Sequence, residues 1–475
     1  MKQSPQPSPD RPRGPARYRP ETAIYALGEG FYDPVEAAPF PQTILRFRNQ
    51  RWADEIGLGG LDEAQWLRHF GRFEPLEGSL KQPLALRYHG HQFRSYNPDI
   101  GDGRGFLFAQ LRDRDGRLLD LGTKGSGQTP YSRFGDGRLT LKGGIREVLA
   151  TEMLEALGVD TSKSFSLIET GEKLERNDEP SPTRSAVLVR LSHGHIRIGT
   201  FQRLAYRDDS DAMRRLVDYC LSYFFNEAGG PDASARLLSL VAQATARLAA
   251  SYIAAGFVHG VLNSDNINIT AESFDYGPWR FTPRWDGAFT AAYFDHAGLY
   301  AFGRQPEAIY WDLAQLAGSL RLLCPAEELT PALESFPAAF QAALVERLLT
   351  RLGISPRDPQ SDAALAVAIE SALVASEVEI DRFFFDWRGG RRCKASPADA
   401  LYEGAAFAAL RDSVAAYEPR ATLDHPYWQD ERPCSMHIDE VETIWDAIDR
   451  SGDWQPFHEK IDAVRRMGDA MWGDA

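Results

Sequence analysis

Cysteine is scarce in this 475-residue chain: Cys220, Cys324, Cys393 and Cys434 lie far apart, with no Cys-x-x-Cys spacing. That pattern suggests neither a disulfide framework nor a zinc site, and reduced thiols in a cytoplasmic protein are expected. Positive charge is also in short supply, with 53 Lys and Arg against 67 Asp and Glu, a formal net charge of −14 and a pI near 5.3. This balance argues against a general nucleic-acid or anionic-membrane surface, so individual cations should matter locally. No apolar run long enough to span a bilayer is expected, and residues 1–20 lack the apolar core that a signal peptide needs. Residues 1–20 hold six prolines and several arginines and are expected to form a disordered tail. With 43% hydrophobic residues the remainder can bury a core large enough for two lobes.

One further absence directs the reading of function. His259-Gly-Val-Leu-Asn-Ser-Asp-Asn266, followed by Asp275-Tyr-Gly277, overlays the kinase pattern H-R-D-L-x-x-x-N and D-F-G, but Val261 stands where the catalytic Asp belongs. A valine cannot accept a proton. Asp265, one residue before Asn266, is the candidate for the missing base. Asn266 and Asp275, nine residues apart, are hard oxygen donors of the kind magnesium takes together with phosphates, and a short hairpin is expected to bring them together. Upstream, Leu237, Leu238, Val241, Leu248 and Tyr252 recur at helical spacing and Gly256 supplies a stop, so a helix and a short strand should lead into this loop.

Towards the N-terminus, Gly101-Asp-Gly-Arg-Gly105 precedes an expected strand over 106–111, and Asp115-Gly116 turns into a second over 118–123. Lys124 ends that strand. Glu147, 23 residues on, falls on a helix whose apolar face runs from Ile145 to Leu157. A strand lysine paired with a helix glutamate is the kinase device for aiming an ammonium at nucleotide phosphates. Between them lies a second Gly-Asp-Gly-Arg, over 135–138, in a loop rich in Gly, Ser and Pro. Arg190 and Arg197 close the small lobe and can clamp phosphate oxygens, because a guanidinium binds two at once. His89 and His91 flank Gly90, and with no third ligand placed by spacing they are expected to be structural rather than metal-binding.

In this order Gly101–Arg104, Lys124-Gly-Ser-Gly, Thr129–Arg133, Gly135–Arg138, Ile145-Arg-Glu147, His195–Phe201, Phe257–Asn266 and Asp275–Pro278 resemble the selenoprotein O family over about residues 85–305. The resemblance implies a kinase fold that binds ATP in a flipped orientation and transfers AMP to protein hydroxyls. It further implies that Lys124 and Glu147 form the ion pair at the phosphates, and that Gly101, Gly103, Arg104, Asp136, Gly137, Arg190, Arg197 and Asp275 contact ATP. Asp265 would be the base, and Asn266 and Asp275 the ligands of magnesium or manganese. Gln128 stands where the family usually has a basic residue. The last thiol is Cys434, so redox control through a terminal cysteine is not expected.

The fold expected is α+β, a protein-kinase-like two-lobed arrangement with additional N- and C-terminal helical elements. The divisions are a tail over 1–20, an N-terminal extension plus small lobe over 21–205, and a helical large lobe with a C-terminal extension over 206–475. Within the large lobe, Asp312 is expected to brace the catalytic-loop backbone. The function expected is protein adenylyltransfer to Ser, Thr or Tyr hydroxyls by a monomer whose partners are ATP and acceptor proteins, with no nucleic acid or membrane. Two alternatives stand beside it: a catalytically inactive nucleotide-binding scaffold, and a kinase that transfers the γ-phosphate.

Overall fold

The computed structural model describes residues 16–473 apart from 178 and 393, so Cys393 and residues 1–15 of the expected tail lie outside the described residues. Pro20, at the end of that stretch, already begins a strand, β1 (Pro20–Glu21), paired with Leu111. Strands β2 (Tyr32–Pro34) and β3 (Ile44–Arg48) follow, then helices α1 (Gln50–Glu55) and α2 (Glu63–Gly71). Helix α2 starts where it does because Asp62 accepts from Gln65 N at 2.7 Å while the Gln65 side chain accepts from Asp62 N at 2.9 Å, a reciprocal cap.

Next come β4 (Leu84–Leu86), the hairpin β5 (Gly90–Gln92) and β6 (Ser95–Asn97), β7 (Leu107–Arg112), β8 (Leu118–Lys124) and the short β9 (Leu139–Thr140). Helix α3 (Leu141–Ala156) is capped by the Thr140 hydroxyl, which accepts from Gly143 N at 3.1 Å, and β10 (Lys163–Leu174) and β11 (Thr183–Ser192) complete the small lobe. Among the described residues one antiparallel sheet runs β2-β4-β7-β8-β11-β10-β3, with β1 added on β7 and β9 on β11. Side chains alternate across it. Val187, Val189 and Leu191 pack with Trp66 and Phe70 of α2, whereas Ala186 and Leu188 face the layer that holds α3. The same alternation puts Lys124 and Arg190 on the α3 side.

The second lobe is helical: α4 (Ile198–Tyr206), α5 (Ser210–Phe224), α6 (Ala233–Ala255), the two-residue strands β12 (Phe257–Val258) and β13 (Arg280–Phe281), α7 (Gln305–Leu320), α8 (Ala326–Leu352), α9 (Pro359–Val374) and α10 (Ile380–Asp386). Two short helices, α11 (Asp399–Tyr402) and α12 (Ala408–Val414), precede α13 (Ile438–Ser451) and α14 (Gln455–Trp472). The architecture is α+β and two-lobed, as expected. The expected lobe boundary at 205/206 falls in the last turn of α4.

Helix α6 corrects one expectation. It is long and apolar enough to cross a bilayer, yet 78% of its most apolar window is buried inside the protein. A mostly buried, Ala- and Leu-rich core helix passes the same test of length and composition as a membrane span. It stops at Gly256, left-handed at φ 69°, where a glycine carries no Cβ penalty, and β12 then delivers the chain to the catalytic loop.

The C-terminal helices cross to the small lobe. Arg465 of α14 makes two 2.8 Å bonds to Glu152 of α3, and Trp472 Nε1 donates to Ala156 O at 2.9 Å. The helix that carries Glu147 is thus held by the sheet on one side and by the end of the chain on another.

Candidate active site

Lys124 and Glu147 meet as an ion pair at the end of β8, with side chains only 4% and 1% exposed. Glu147 Oε2 is left buried without a hydrogen-bond partner. Two charges removed from water at such cost contribute little net stability, so the pair is better explained by what Lys124 is aimed at. That target is Asp275, whose Oδ1 lies 3.0 Å from Lys124 Nζ.

Arg190, projecting from β11, reaches Asp275 Oδ1 at 3.2 Å. Arg197, the residue just before α4, reaches Asp275 Oδ2 at 3.3 Å, donates to the backbone oxygen of Asp265 at 2.9 Å, and lies 3.4 Å from Asp102 Oδ1. Its guanidinium is sandwiched between the rings of Tyr88 and Phe274, 4.5 and 4.7 Å from their centroids. Burial by itself acts to raise the Asp275 carboxyl, but Lys124, Arg190 and Arg197 together hold it well below the usual carboxylate range. Asp275 also adopts a left-handed backbone, φ 64°, a strained conformation that a non-glycine residue keeps only where its surroundings enforce it.

Asp265 sits in a single turn, Ser264–Asn266, directly after the Asn263 corner. Its Oδ1 is buried with no hydrogen-bond partner. Burial raises its pKa to about 6, against the opposing pull of Arg197. Asn266 donates through Nδ2 to Val261 O at 3.0 Å, which leaves the amide oxygen available as a ligand. The chain from Asn266 to Asp275 is not the hairpin expected from the spacing. Asn268 bridges instead to Arg197, Ser273 bridges to Thr161, and Ala271 turns the backbone at φ 60°. His259 bonds Phe274 O at 3.0 Å and so joins the loop to the segment that precedes Asp275.

Asp312 does not brace the loop as expected. It is fully buried, and neither carboxyl oxygen has a hydrogen-bond partner. The bracing comes from Gln305 at the start of the same helix, which accepts from His259 N at 3.0 Å and donates to Phe257 O at 2.7 Å. Burial first, and then the nearby Asp265, hold the Asp312 carboxyl well above its ordinary value of 3.8. A raised folded pKa means that this stability contribution is complete below the unfolded value and is lost as pH rises towards the folded one, at no more than about 1.4 kcal/mol per pH unit. Asp312→Asn, which cannot ionise, is therefore expected to gain in Tm relative to the parent as pH is raised from 4 to neutral. A Tm difference that stays flat over that range contradicts this.

These groups face one cavity of about 780 Å³, a volume suited to a nucleoside triphosphate. Its wall brings together Gly101, Gly103, Arg104, Lys124, Asp136, Gly137, Arg190, Arg197, Asp265 and Asp275. Glu147 and Asn266 are not on the wall: Glu147 pairs with Lys124, and Asn266 turns its amide nitrogen to Val261 O. The glycines have a steric reason beyond close approach to a ligand. A Cβ on Gly101 would lie 2.5 Å from the Tyr131 ring, and one on Gly137 would lie 2.2 Å from the Gly127 backbone. The two glycine-rich loops are thus packed against each other. Gln128, in place of a base, donates to Gly135 O at 2.8 Å and closes the second loop on itself.

Arg176 and Gln92 are among the wall residues that were not singled out from the sequence. Arg176 comes from the turn between β10 and β11 and pairs with Asp136 at 2.8 Å. Gln92 comes from β5. The only signal for Gln92 was its place beside the His-Gly-His triplet, whose histidines bond separately: His89 to the Tyr96 hydroxyl at 2.8 Å and His91 to Gln202 at 2.6 Å. Among the described residues no group of three or more His, Cys, Asp or Glu forms a metal cage. A magnesium ion does not require one: two protein oxygens plus phosphates suffice, and an ionised Asp275 with the Asn266 amide oxygen is such a donor set.

A strand lysine locked to a helix glutamate, two arginines converging on an acid, and a carboxylate relocated four residues past the usual base define a nucleotide-using site of the kinase class. The family model described as protein adenylyltransferase SelO matches residues 16–465, and the chain belongs to that family. It is 44% identical to the protein nucleotidyltransferase YdiU of Gloeobacter violaceus, over 94% of this chain and 95% of that one. It is 41% identical to the protein of the same name from Synechocystis, over 94% and 97% respectively. A solved chain from Toxoplasma gondii, described as ROP2, a virulence factor with a protein-kinase fold and no enzymatic activity, aligns at 11% identity over 74% of this chain and 89% of its own, with a TM-score of 0.26. The protein is an enzyme of nucleotidyl transfer, and ATP is the substrate that the family's activity requires.

Proposed function

We propose that the protein transfers AMP from ATP to Ser, Thr or Tyr hydroxyls of acceptor proteins with magnesium or manganese bound. The observation that carries this reading is the Asp265 side chain, buried and on the wall of the same cavity as Lys124, Arg190 and Arg197. Asp265 takes the hydroxyl proton as the acceptor oxygen forms its bond to the α-phosphorus; the bond from that phosphorus to the bridging oxygen breaks, and pyrophosphate leaves. Lys124, kept in place by Glu147, and the forks of Arg190 and Arg197 bind phosphate oxygens and neutralise the charge they carry. Gly101, Gly103, Arg104, Asp136 and Gly137 contact the rest of the nucleotide. Asn266 and Asp275 hold the divalent ion, which when bound supplies further charge neutralisation at the phosphates. Positioning does most of the work, because the chemistry is a single displacement between groups already in place.

The reading is tested with ATP labelled on either the α- or the γ-phosphate, incubated with the protein and a hydroxyl-rich acceptor such as casein. Label retained from the α position only is expected. Label from the γ position indicates a kinase, and no transfer from either, together with a thermal shift on ATP addition, indicates a nucleotide-binding scaffold.

A further inference from the structure

Three large aromatic side chains left in solvent meet at one place: Phe93, 38% exposed, Tyr293, 79% exposed, and Phe294, 42% exposed. Phe93 is at the tip of the β5–β6 hairpin, and the other two lie in the chain that follows the Asp275 turn. The Phe93 and Phe294 rings stand edge to face with centroids 5.8 Å apart, and Tyr293 meets Phe294 in the same way at 5.1 Å. The buried Tyr300 ring lies 5.1 Å from Phe93. Exposed rings scattered singly are ordinary; a contiguous group of them marks a contact surface.

Both segments are fastened to the catalytic loop. Phe93 and Arg94 are the two-residue loop of the hairpin, and both are left-handed, at φ 49° and 63°, a conformation that such side chains keep only where their surroundings enforce it. Phe93 N donates to Asn263 Oδ1 at 2.9 Å, and His91 N donates to Ser264 Oγ at 2.7 Å. In the second segment Ala291 and Ala292 are buried, and a Cβ on Gly260 of the catalytic loop would lie 3.0 Å from Ala291 Cβ. Asp295 then accepts from Leu299 N and Tyr300 N, each at 2.8 Å, and the Tyr300 hydroxyl donates to Asn263 Oδ1 at 2.7 Å. The chain is thus anchored before and after Tyr293-Phe294. Their rings stand in water because the fold holds them there, and covering them by another molecule is favourable.

The patch adjoins the cavity. Gln92, the neighbour of Phe93, is on the cavity wall with Asp265, and Asn263, to which both segments bond, is two residues before Asp265. At its edge Arg94 pairs with Glu307 at 3.2 Å. An apolar centre with a polar rim is the make-up of a protein contact surface, and transfer to a protein requires such a surface beside the reacting groups.

We propose that Phe93, Tyr293 and Phe294 form the docking surface for the acceptor protein and take an aliphatic or aromatic side chain next to the hydroxyl that is modified. The inference rests on the adenylyltransfer reading and narrows its acceptors to hydroxyls with large apolar neighbours. Because both halves of the patch hang on Asn263, a side chain seated there also fixes where the neighbouring hydroxyl stands relative to Asp265.

The test uses the full-length protein, α-labelled ATP and two synthetic peptides that differ only beside their single serine, with phenylalanine on both sides of it or glutamine on both sides. kcat/KM for the phenylalanine peptide is expected to be higher by about tenfold or more, the scale of one well-seated aromatic anchor. In Tyr293→Ser, Phe294→Ser and Phe93→Asn that preference should fall towards one through KM for the peptide, with KM for ATP and the thermal shift on ATP addition as in the parent. Asparagine is chosen at 93 because it tolerates a left-handed backbone, and Tyr293→Ser removes a ring that is mostly in water, so its folding is unaffected. A parent without the preference, or a preference that survives all three substitutions, overturns the proposal. A dimeric parent that the same substitutions make monomeric in sedimentation also overturns it, because a second copy then covers the patch. Transfer to casein but to neither peptide overturns the docking proposal alone, whereas no transfer of α-label to casein or to either peptide overturns the adenylyltransfer reading and this proposal with it.

Discussion

Asp265→Asn should retain ATP binding and lose transfer, with kcat lower by about 10²–10⁴-fold, the contribution general-base catalysis makes. Asparagine keeps the shape of the side chain but cannot accept the proton of an incoming hydroxyl. The loop should stay in place, because Arg197 holds it through the backbone oxygen of residue 265, at 2.9 Å, and not through the carboxylate. The Asn263 and Ser264 bonds to the hairpin are likewise independent of that side chain. KM for ATP and the thermal shift on ATP addition are therefore expected to match the parent. Isothermal titration and initial-rate kinetics check both halves. A variant within a few-fold of the parental rate would remove Asp265 from the chemistry.

The second large effect is expected at Asp275, where the consequence for binding differs. Asp275→Ala takes the shared anion from Lys124, Arg190 and Arg197, which approach it at 3.0, 3.2 and 3.3 Å. It also removes the only charged member of the proposed metal pair. Transfer should fall by about a thousandfold or more, roughly 4 kcal/mol of transition-state stabilisation. The cavity left behind is more cationic, so ATP without a divalent ion should bind at least as well as to the parent. The increment in binding that magnesium adds should vanish. Titrating ATP into parent and variant, with and without magnesium, separates the two effects; an intact magnesium increment in the variant contradicts the assignment of Asp275 as a ligand.

The parts of this site legible in the sequence are those with a local signature. Lys124 ends an alternating strand and Glu147 lies on a regular helical face, so each could be assigned to its element, and the ion pair followed from the two together. Gly256 marked the end of α6, and Val261 drew attention to Asp265. Contacts between distant segments left no such trace. The His91–Ser264 bond joins residues 173 apart, and Arg465 reaches Glu152 across 313, with nothing in either stretch to name its partner. Two errors have the same origin. Asp312 has the character of a bracing acid, but the bracing falls to Gln305, about two helical turns away, because which side chain meets the loop depends on how α7 docks. Helix α6 looks short of a membrane span only until its Ala content is weighed, and its burial depends on neighbours that composition does not report.

The central claim is that the acid beside Asn266 has taken over from the position now held by Val261. A crystal structure of the protein with magnesium and an ATP analogue that cannot be cleaved between the α- and β-phosphates tests it most directly. The account expects the α-phosphorus to be the one nearest the Asp265 carboxylate, with space between them for a hydroxyl in line with the departing pyrophosphate. A γ-phosphorus in that place, or an Asp265 side chain turned away from the nucleotide, would contradict it.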